Sequence, residues 1–326
     1  MLISRSAGLI VASGFLSVAP GALAADAYPT KPVRFVIPFA PGGGNDLVAR
    51  IIAQHLTDAW GHQVIADNRA GGGGTIGTET VAKAPPDGYT LLLGYTGTLA
   101  INPRLYANTP YDPVKDFAPV ALAAGTALVA VVHPSVPATT TKELIAYAKS
   151  KPGTLNFASG GTGTGSHMAG EMFKSMAGVD MVLITYKGTG PAIIELLGGQ
   201  THLMFSVLTG AVPHINGKRL KAIGVTSLQR SALMPDLPTI SESGLKGYEA
   251  VLRYGVLVPR GTPTPVISRL GAEVIKIVSK PDVKALLASS GTEPMPGDAA
   301  EYAKVIAAEL DSWGKVIKAA GIKPDR

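Results

Sequence analysis

Four times along this chain an apolar, strand-like run breaks into a glycine-rich loop and then into a helical pattern. The first is Val33-Arg34-Phe35-Val36-Ile37-Pro38-Phe39-Ala40-Pro41-Gly42-Gly43-Gly44-Asn45-Asp46, followed by Leu47, Val48, Ile51, Ile52 and Leu56 on one helix face. The others run from Asn68 to Gly77, from Ala158 to His167 and from Tyr186 to Ala192. Further strand candidates stand at Val64–Asp67, Thr90–Gly94, Ala127–Val132, Leu155–Ala158, Met181–Thr185, Leu203–Phe205, Leu220–Val225 and Val256–Val258. Helical patterns between them argue for an α/β fold of mainly parallel sheets flanked by helices. Two closing helices carry clear stripes, Val266, Leu270, Val274 and Ile277, then Tyr302, Val305, Ile306, Trp313 and Ile317.

The loops carry the chemistry. Glycines at a helix start bare backbone N–H groups where the macrodipole favours an anion. Gly72, Gly74 and Gly77 fit the dinucleotide spacing G-x-G-x-x-G, but the acidic residue that should follow about 20 positions on is missing. No loop ends in the Gly-Lys-Ser/Thr of a phosphate-binding P-loop. In Ser159-Gly160-Gly161-Thr162-Gly163-Thr164-Gly165-Ser166-His167 hydroxyls alternate with bare amides, a neutral cradle for a carboxylate. Any one such loop is equally well a tight strand-to-helix turn; several at the carboxyl ends of parallel strands favour a ligand site. Lys187 is a minor candidate beside them.

Residues 1–24 read as a leader: Arg5, an apolar run from Ala7 to Val18, and the small-x-small end Ala22-Leu23-Ala24, with cleavage expected near Ala24. The run is shorter than the ~20 residues of a spanning helix and is broken by Gly14. Removal takes one arginine and no acid, so the formal charge of +6 falls to +5, with no basic cluster to suggest a nucleic-acid partner. The chain has no cysteine, which excludes disulfides, thiolate metal sites and thiol nucleophiles. The six histidines, His55, His62, His133, His167, His202 and His214, form no H-E-x-x-H, and no G-x-S-x-G elbow is present. Ser166 and His167 are neighbours on a helix and point apart, so they are no nucleophile and base. No catalytic residue, metal or cofactor is expected.

About 300 mature residues, 46% of the chain being hydrophobic, suffice for two cores. The apolar runs Pro119–Val132 and Leu220–Thr226 read as crossings between lobes. The expected division is a leader at 1–24, a first lobe at 25–124, a second at 125–234, and a return to the first at 235–326.

The loops Pro38–Asp46, Asn68–Gly77, Ser159–His167 and Tyr186–Ala192, with Pro85-Pro86-Asp87-Gly88-Tyr89, Gly224-Val225-Thr226 and Pro259-Arg260-Gly261-Thr262-Pro263, resemble the Bug/TctC family. These are extracytoplasmic solute receptors of tripartite tricarboxylate transporters, and the likeness runs through the whole mature chain. It implies a two-lobed periplasmic binding protein of Venus-flytrap form that closes on a small carboxylate and hands it to membrane permease subunits. It implies a monomer in the periplasm with Phe39, Gly43, Asp46, Gly74, Thr75, Ser159, Thr162, Thr164, His167 and Tyr186 at the ligand. Asp46 beside an anion suits helix capping, or holding a water or ligand amine. The family's aspartate after Gly-Gln-x is replaced in Gly199-Gln200-Thr201-His202, and its aromatic before Tyr-Gly is Arg253, which joins the candidates as a bidentate partner for a far carboxylate or stands as a surface arginine. A ligand-sensing partner of a membrane signalling protein and an exported hydrolase of an anionic substrate are the alternative functions.

Overall fold

The computed structural model describes residues 28–42, 44–186 and 188–322. The leader and its cleavage bond, Gly43 and Lys187 lie outside the described residues. The first run comprises β1 (Val33–Ile37), α1 (Gly44–Trp60), β2 (Val64–Asn68), α2 (Thr75–Ala82), β3 (Thr90–Tyr95) and α3 (Asn102–Leu105). β1 lies between β2 and β3 and is parallel to both. Its residues are buried except Arg34, and α1 lays Val48, Ile51, Ile52 and Leu56 on the same core, as their 3.6-residue spacing requires.

β4 (Phe117–Val132) then runs through both halves of the molecule. Its segment Phe117–Ala127 pairs with β9 (Val251–Pro259), whereas Leu128–Val132 pairs with β7 (Leu203–Val207) and β8 (Lys221–Val225). The second half adds α4 (Thr141–Ser150), β5 (Asn156–Ser159), α5 (Gly165–Ala177), β6 (Val182–Thr185), α6 (Thr189–Leu197) and α7 (Leu208–Asn216). β5 is parallel to both β6 and β7. After β9 come α8 (Thr264–Ser279), α9 (Pro281–Ser289), β10 (Glu293–Gly297) and α10 (Ala299–Ala320). The order across the sheet is β2-β1-β3-β9-β4-β7-β5-β6, with β8 and β10 also on β4. This is the two-lobed α/β architecture of a periplasmic binding protein.

All the strand candidates are strands, but the crossing strands are not parallel to their neighbours. β9 runs antiparallel to β3 and to β4, and β4 runs antiparallel to β7 and β8. A strand that leaves one half for the other reverses direction relative to the strands it joins. The return strand is β9; β8 pairs with the far end of β4 only. β10, with two prolines and no apolar alternation, was not legible as a strand; it forms because β4 offers an edge at Leu122–Gly125.

α10 starts with a reciprocal capping box, Asp298 accepting from the Glu301 N–H and Glu301 from the Asp298 N–H. Its stripe of Tyr302, Ile306, Leu310, Trp313 and Ile317 belongs to one continuous core with Leu99 and Leu105 of the first half and Phe157, Phe173 and Phe205 of the second. The halves therefore share packing along α10 as well as the β4 and β9 crossings.

Candidate functional site

β1, β2 and β3 end on one side of the first half, and the loops that follow them pack together. In the first turn of α1, Asp46 is 5% exposed and accepts hydrogen bonds from the Gly42 N–H (3.0 Å), Asn68 Nδ2 (2.9 Å) and Arg50 Nε (2.9 and 3.0 Å). Burial raises its pKa, but these bonds outweigh burial and hold the carboxyl below its usual range. Asn68 Nδ2 also donates to the Phe39 carbonyl at 3.0 Å. Asp46 thus clasps the first loop to the second and spends its acceptors inside the protein.

Gly71, Gly72, Gly73 and Gly74 have φ of 130°, 56°, 62° and 92°, a run that side chains resist. A Cβ on Gly74 would lie 2.6 Å from Thr98 Cγ2 and 3.0 Å from Phe39 Cζ; one on Gly77 would lie 2.7 Å from the Pro38 Cα. The spacing that mimics a nucleotide fingerprint is explained by this close packing of the two loops. Thr75, half-buried, opens α2.

A fifth segment, at the end of β3, escaped the sequence reading. The Phe39 ring meets Tyr95 edge-on at 5.4 Å, and Tyr95 stacks on Tyr254 of β9 at 5.5 Å. Burial raises both phenols above their usual pKa, so both stay neutral. Its signal was present: Tyr95-Thr96-Gly97-Thr98 is another glycine and hydroxyl turn after a strand.

In the second half, Thr164 caps α5, accepting from the His167 N–H and donating to the Gly161 carbonyl at 2.7 Å. Ser159 Oγ donates to the same carbonyl at 2.8 Å and accepts from the Gly161 N–H at 3.0 Å. His167, 2% exposed, accepts the Gly163 N–H at Nδ1 (2.9 Å), which places its proton on Nε2. Ser166 accepts from the Gly160 N–H, so the two neighbours serve different backbone groups. Thr162 is half-buried and, among the described residues, its hydroxyl has no hydrogen-bond partner. The fourth loop joins the third, Tyr186 N–H donating to the Ser159 carbonyl (2.9 Å) and Gly188 N–H to that of Gly160 (3.1 Å).

α3 links the two pairs of loops. Asn102 Nδ2 donates to the Gly73 carbonyl at 3.0 Å, and Leu105 Cδ2 sits 3.0 Å from where a Gly163 Cβ would be. Phe39, Asp46, Gly74, Thr75, Ser159, Thr162, Thr164, His167 and Tyr186 therefore belong to one chain of touching loops.

Arg253 does not. It alternates with Tyr254 on β9, so it faces the other side, where its guanidinium pairs with Glu309 at 2.9 Å and Glu249 at 2.6 Å. His202 precedes β7, which is parallel to β5, and so lies at the opposite end of the sheet from the Ser159–His167 loop. There it accepts the Asn156 N–H at Nδ1, and burial and then His133 lower its pKa.

The family model for the tripartite tricarboxylate transporter family receptor, TctC, matches residues 48–322. The chain belongs to this family. A curated relative from Pseudomonas sp. (strain P51), a UPF0065 protein in the tcbD-tcbE intergenic region, is 40% identical over 90% of this chain and 87% of its own. BugT of Bordetella pertussis is 34% identical over 92% of this chain and 93% of its own. Among solved structures, Rpa4515 of R. palustris with adipate superposes with a TM-score of 0.77 at 36% identity, covering 91% of this chain and all of that one. MatC from Rhodopseudomonas palustris with bound malate gives 0.73 at 32% identity, covering 89% of this chain and all of that one. The expected Bug/TctC kinship is thus met, and the family is one of periplasmic solute receptors. Among the described residues no cluster of three metal-ligating side chains occurs.

Proposed function

We propose that the protein is a periplasmic receptor that captures a small carboxylate between its lobes and delivers it to the permease of a tripartite transporter, after its leader is cleaved near Ala24. The observation that carries this reading is the joining of four glycine loops, two from each half, around Asn102 and Leu105. They offer neutral donors, the ligand chemistry that adipate and malate would need in the relatives. Phe39, Gly74, Thr75, Thr162 and Tyr186 line the ligand space, with Gly43 added by its place in the first loop. Asp46, Ser159, Thr164 and His167 hold the loops in shape. Arg253 is left out because both its carboxylate partners are its own.

The lobes are best divided where the sheet changes partners: 28–127 and 251–322 against 128–250. Residues up to Ala250 stay with the second lobe, since Tyr248 packs on Phe173 and Phe205 and donates to the Ala169 carbonyl. Magnitudes are adequate without catalysis. Micromolar binding needs about −8 kcal/mol, and charge-assisted hydrogen bonds supply roughly 1.5 to 3 kcal/mol each before the association cost. Lobe closure then presents a shape that a permease distinguishes from the open one.

A thermal-shift screen of the chain from Ala25 against mono-, di- and tricarboxylates tests the reading, because a ligand bound only by the folded state raises its melting temperature. A saturable shift with one acid class supports it. No shift with any acid, after unfolding and refolding to strip carried-over ligand, rejects it.

A further inference from the structure

Behind the loops, α5 of the second lobe and α10 of the first form the walls of a groove of about 500 Å³. Met172 and Ser175 come from α5, Trp313 and Val316 from α10, and the floor is Arg253 with its two carboxylates. Glu309, 6% exposed, accepts from Arg253 and, at 3.1 Å, from the Thr96 hydroxyl; Thr96 Oγ1 in turn accepts the Arg253 N–H at 2.8 Å. This knot joins β3, β9 and α10 where the chain passes from one lobe to the other. Arg253 Nε, also buried, has no hydrogen-bond partner among the described residues.

We propose that Glu309 is the positioning residue that sets the balance between open and closed lobes, through the water it gains when α5 moves off α10. The inference rests on the two-lobed receptor reading above. In the arrangement seen here Leu105 touches the Gly163 loop and α5 packs on α10, so the lobes are together and Glu309 is almost wholly buried at the base of the groove. Parting the lobes widens the groove and hydrates the carboxylate.

The groups around Glu309 fix the sign. Arg253 and Glu249 face it from β9 and the turn before it, Tyr95 and Tyr302 lie within its field, and Lys315 at the groove mouth is tied to Asp311. α5 presents no charge to it, its Glu171 and Lys174 being paired with each other. Burial pushes Glu309 up to about 7, which Arg253 and Thr96 only partly offset, with Glu249 adding to the rise. The buried arrangement therefore holds the proton more tightly than a hydrated one. Lowering the pH from 8 to 6 favours closure, by up to about tenfold in the closed-to-open ratio when opening hydrates Glu309 fully.

The absence of native cysteine makes the test clean. Ala59→Cys on α1 and Ala146→Cys on α4, both exposed, take spin labels, one on each lobe. Distances between them are measured by pulsed electron resonance on the ligand-free protein from pH 8 to 6. The expected result is a shift toward shorter distances centred near pH 7, with Glu309→Gln fixed at the short distances at every pH. Glu249→Gln keeps the response and moves it to lower pH, which decides the matter if Glu309→Gln melts early. Distances indifferent to pH, a Glu309→Gln protein that responds like the parent, or an unmoved midpoint in Glu249→Gln overturns the proposal. No acid is added, so the result is independent of whether carboxylates bind.

Discussion

Asn68 Nδ2 stands 2.9 Å from Asp46 Oδ1, and this one contact ties the glycine loop after β2 to the helix that follows the glycine loop after β1. The same amide holds the Phe39 carbonyl. An acidic residue beside the proposed carboxylate site is thereby accounted for: it holds the two loops together from behind. Asn68→Ala removes both bonds and is expected to cost about 1 to 3 kcal/mol of stability and to weaken ligand binding at least tenfold, read by chemical denaturation and calorimetry. Because Asp46 titrates below its unfolded value, its stabilisation is whole above the ordinary carboxylate range and is lost as pH falls through the lower folded value. Asp46→Asn should flatten that acid limb.

Gly74→Val meets two penalties at once. Its φ of 92° is hostile to a β-branched residue, and the new Cβ would strike Thr98 and the Phe39 ring. Binding should be abolished and stability should fall by roughly 2 to 4 kcal/mol. Gly178→Ala, where φ is 59° but nothing lies within 4 Å, is the control: about 1 kcal/mol of strain, with affinity unchanged.

Thr164 serves α5 as cap and the Gly161 carbonyl as donor. Thr164→Ala is expected to lose about 1 kcal/mol of stability and to loosen the loop, raising Kd severalfold. Thr164→Ser keeps the hydroxyl and should restore both. An alanine variant that binds like the parent would remove this loop's geometry from the site.

Glu309 predicts a neutral-pH signature in stability. Its folded pKa, about 7, lies above the unfolded value, so its favourable contribution is complete below pH 4.5 and is lost as pH rises through 7. The change is on the order of 3 kcal/mol. Denaturation curves between pH 5 and 8 should show it in the parent and lose it in Glu309→Gln.

The strands other than β10, the helices and the four loops were legible because each rests on local signals: apolar runs, 3.6-residue stripes and glycine. What lay beyond them was set by partners remote in sequence. Arg253 stands where a family aromatic is expected, and nothing within the chain near it reveals that Glu309, 56 residues on, waits across the sheet. β9 begins at Val251, before its most apolar part, because β4 supplies the pairing. Tyr95 and Tyr254, 159 positions apart, meet only when β3 and β9 pair. Asp46 was readable as a paradox and became intelligible once Asn68 stood beside it.

The central claim is that neutral donors on joined glycine loops bind a carboxylate without changing it. Its most direct test is a calorimetric titration of the acid giving the largest thermal shift, against the parent chain and Gly74→Val, with chromatography of the acid afterwards. Saturable one-to-one binding by the parent, none by a folded Gly74→Val, and complete recovery of the acid are expected. Equal affinity in the two proteins, or consumption of the acid, would contradict it.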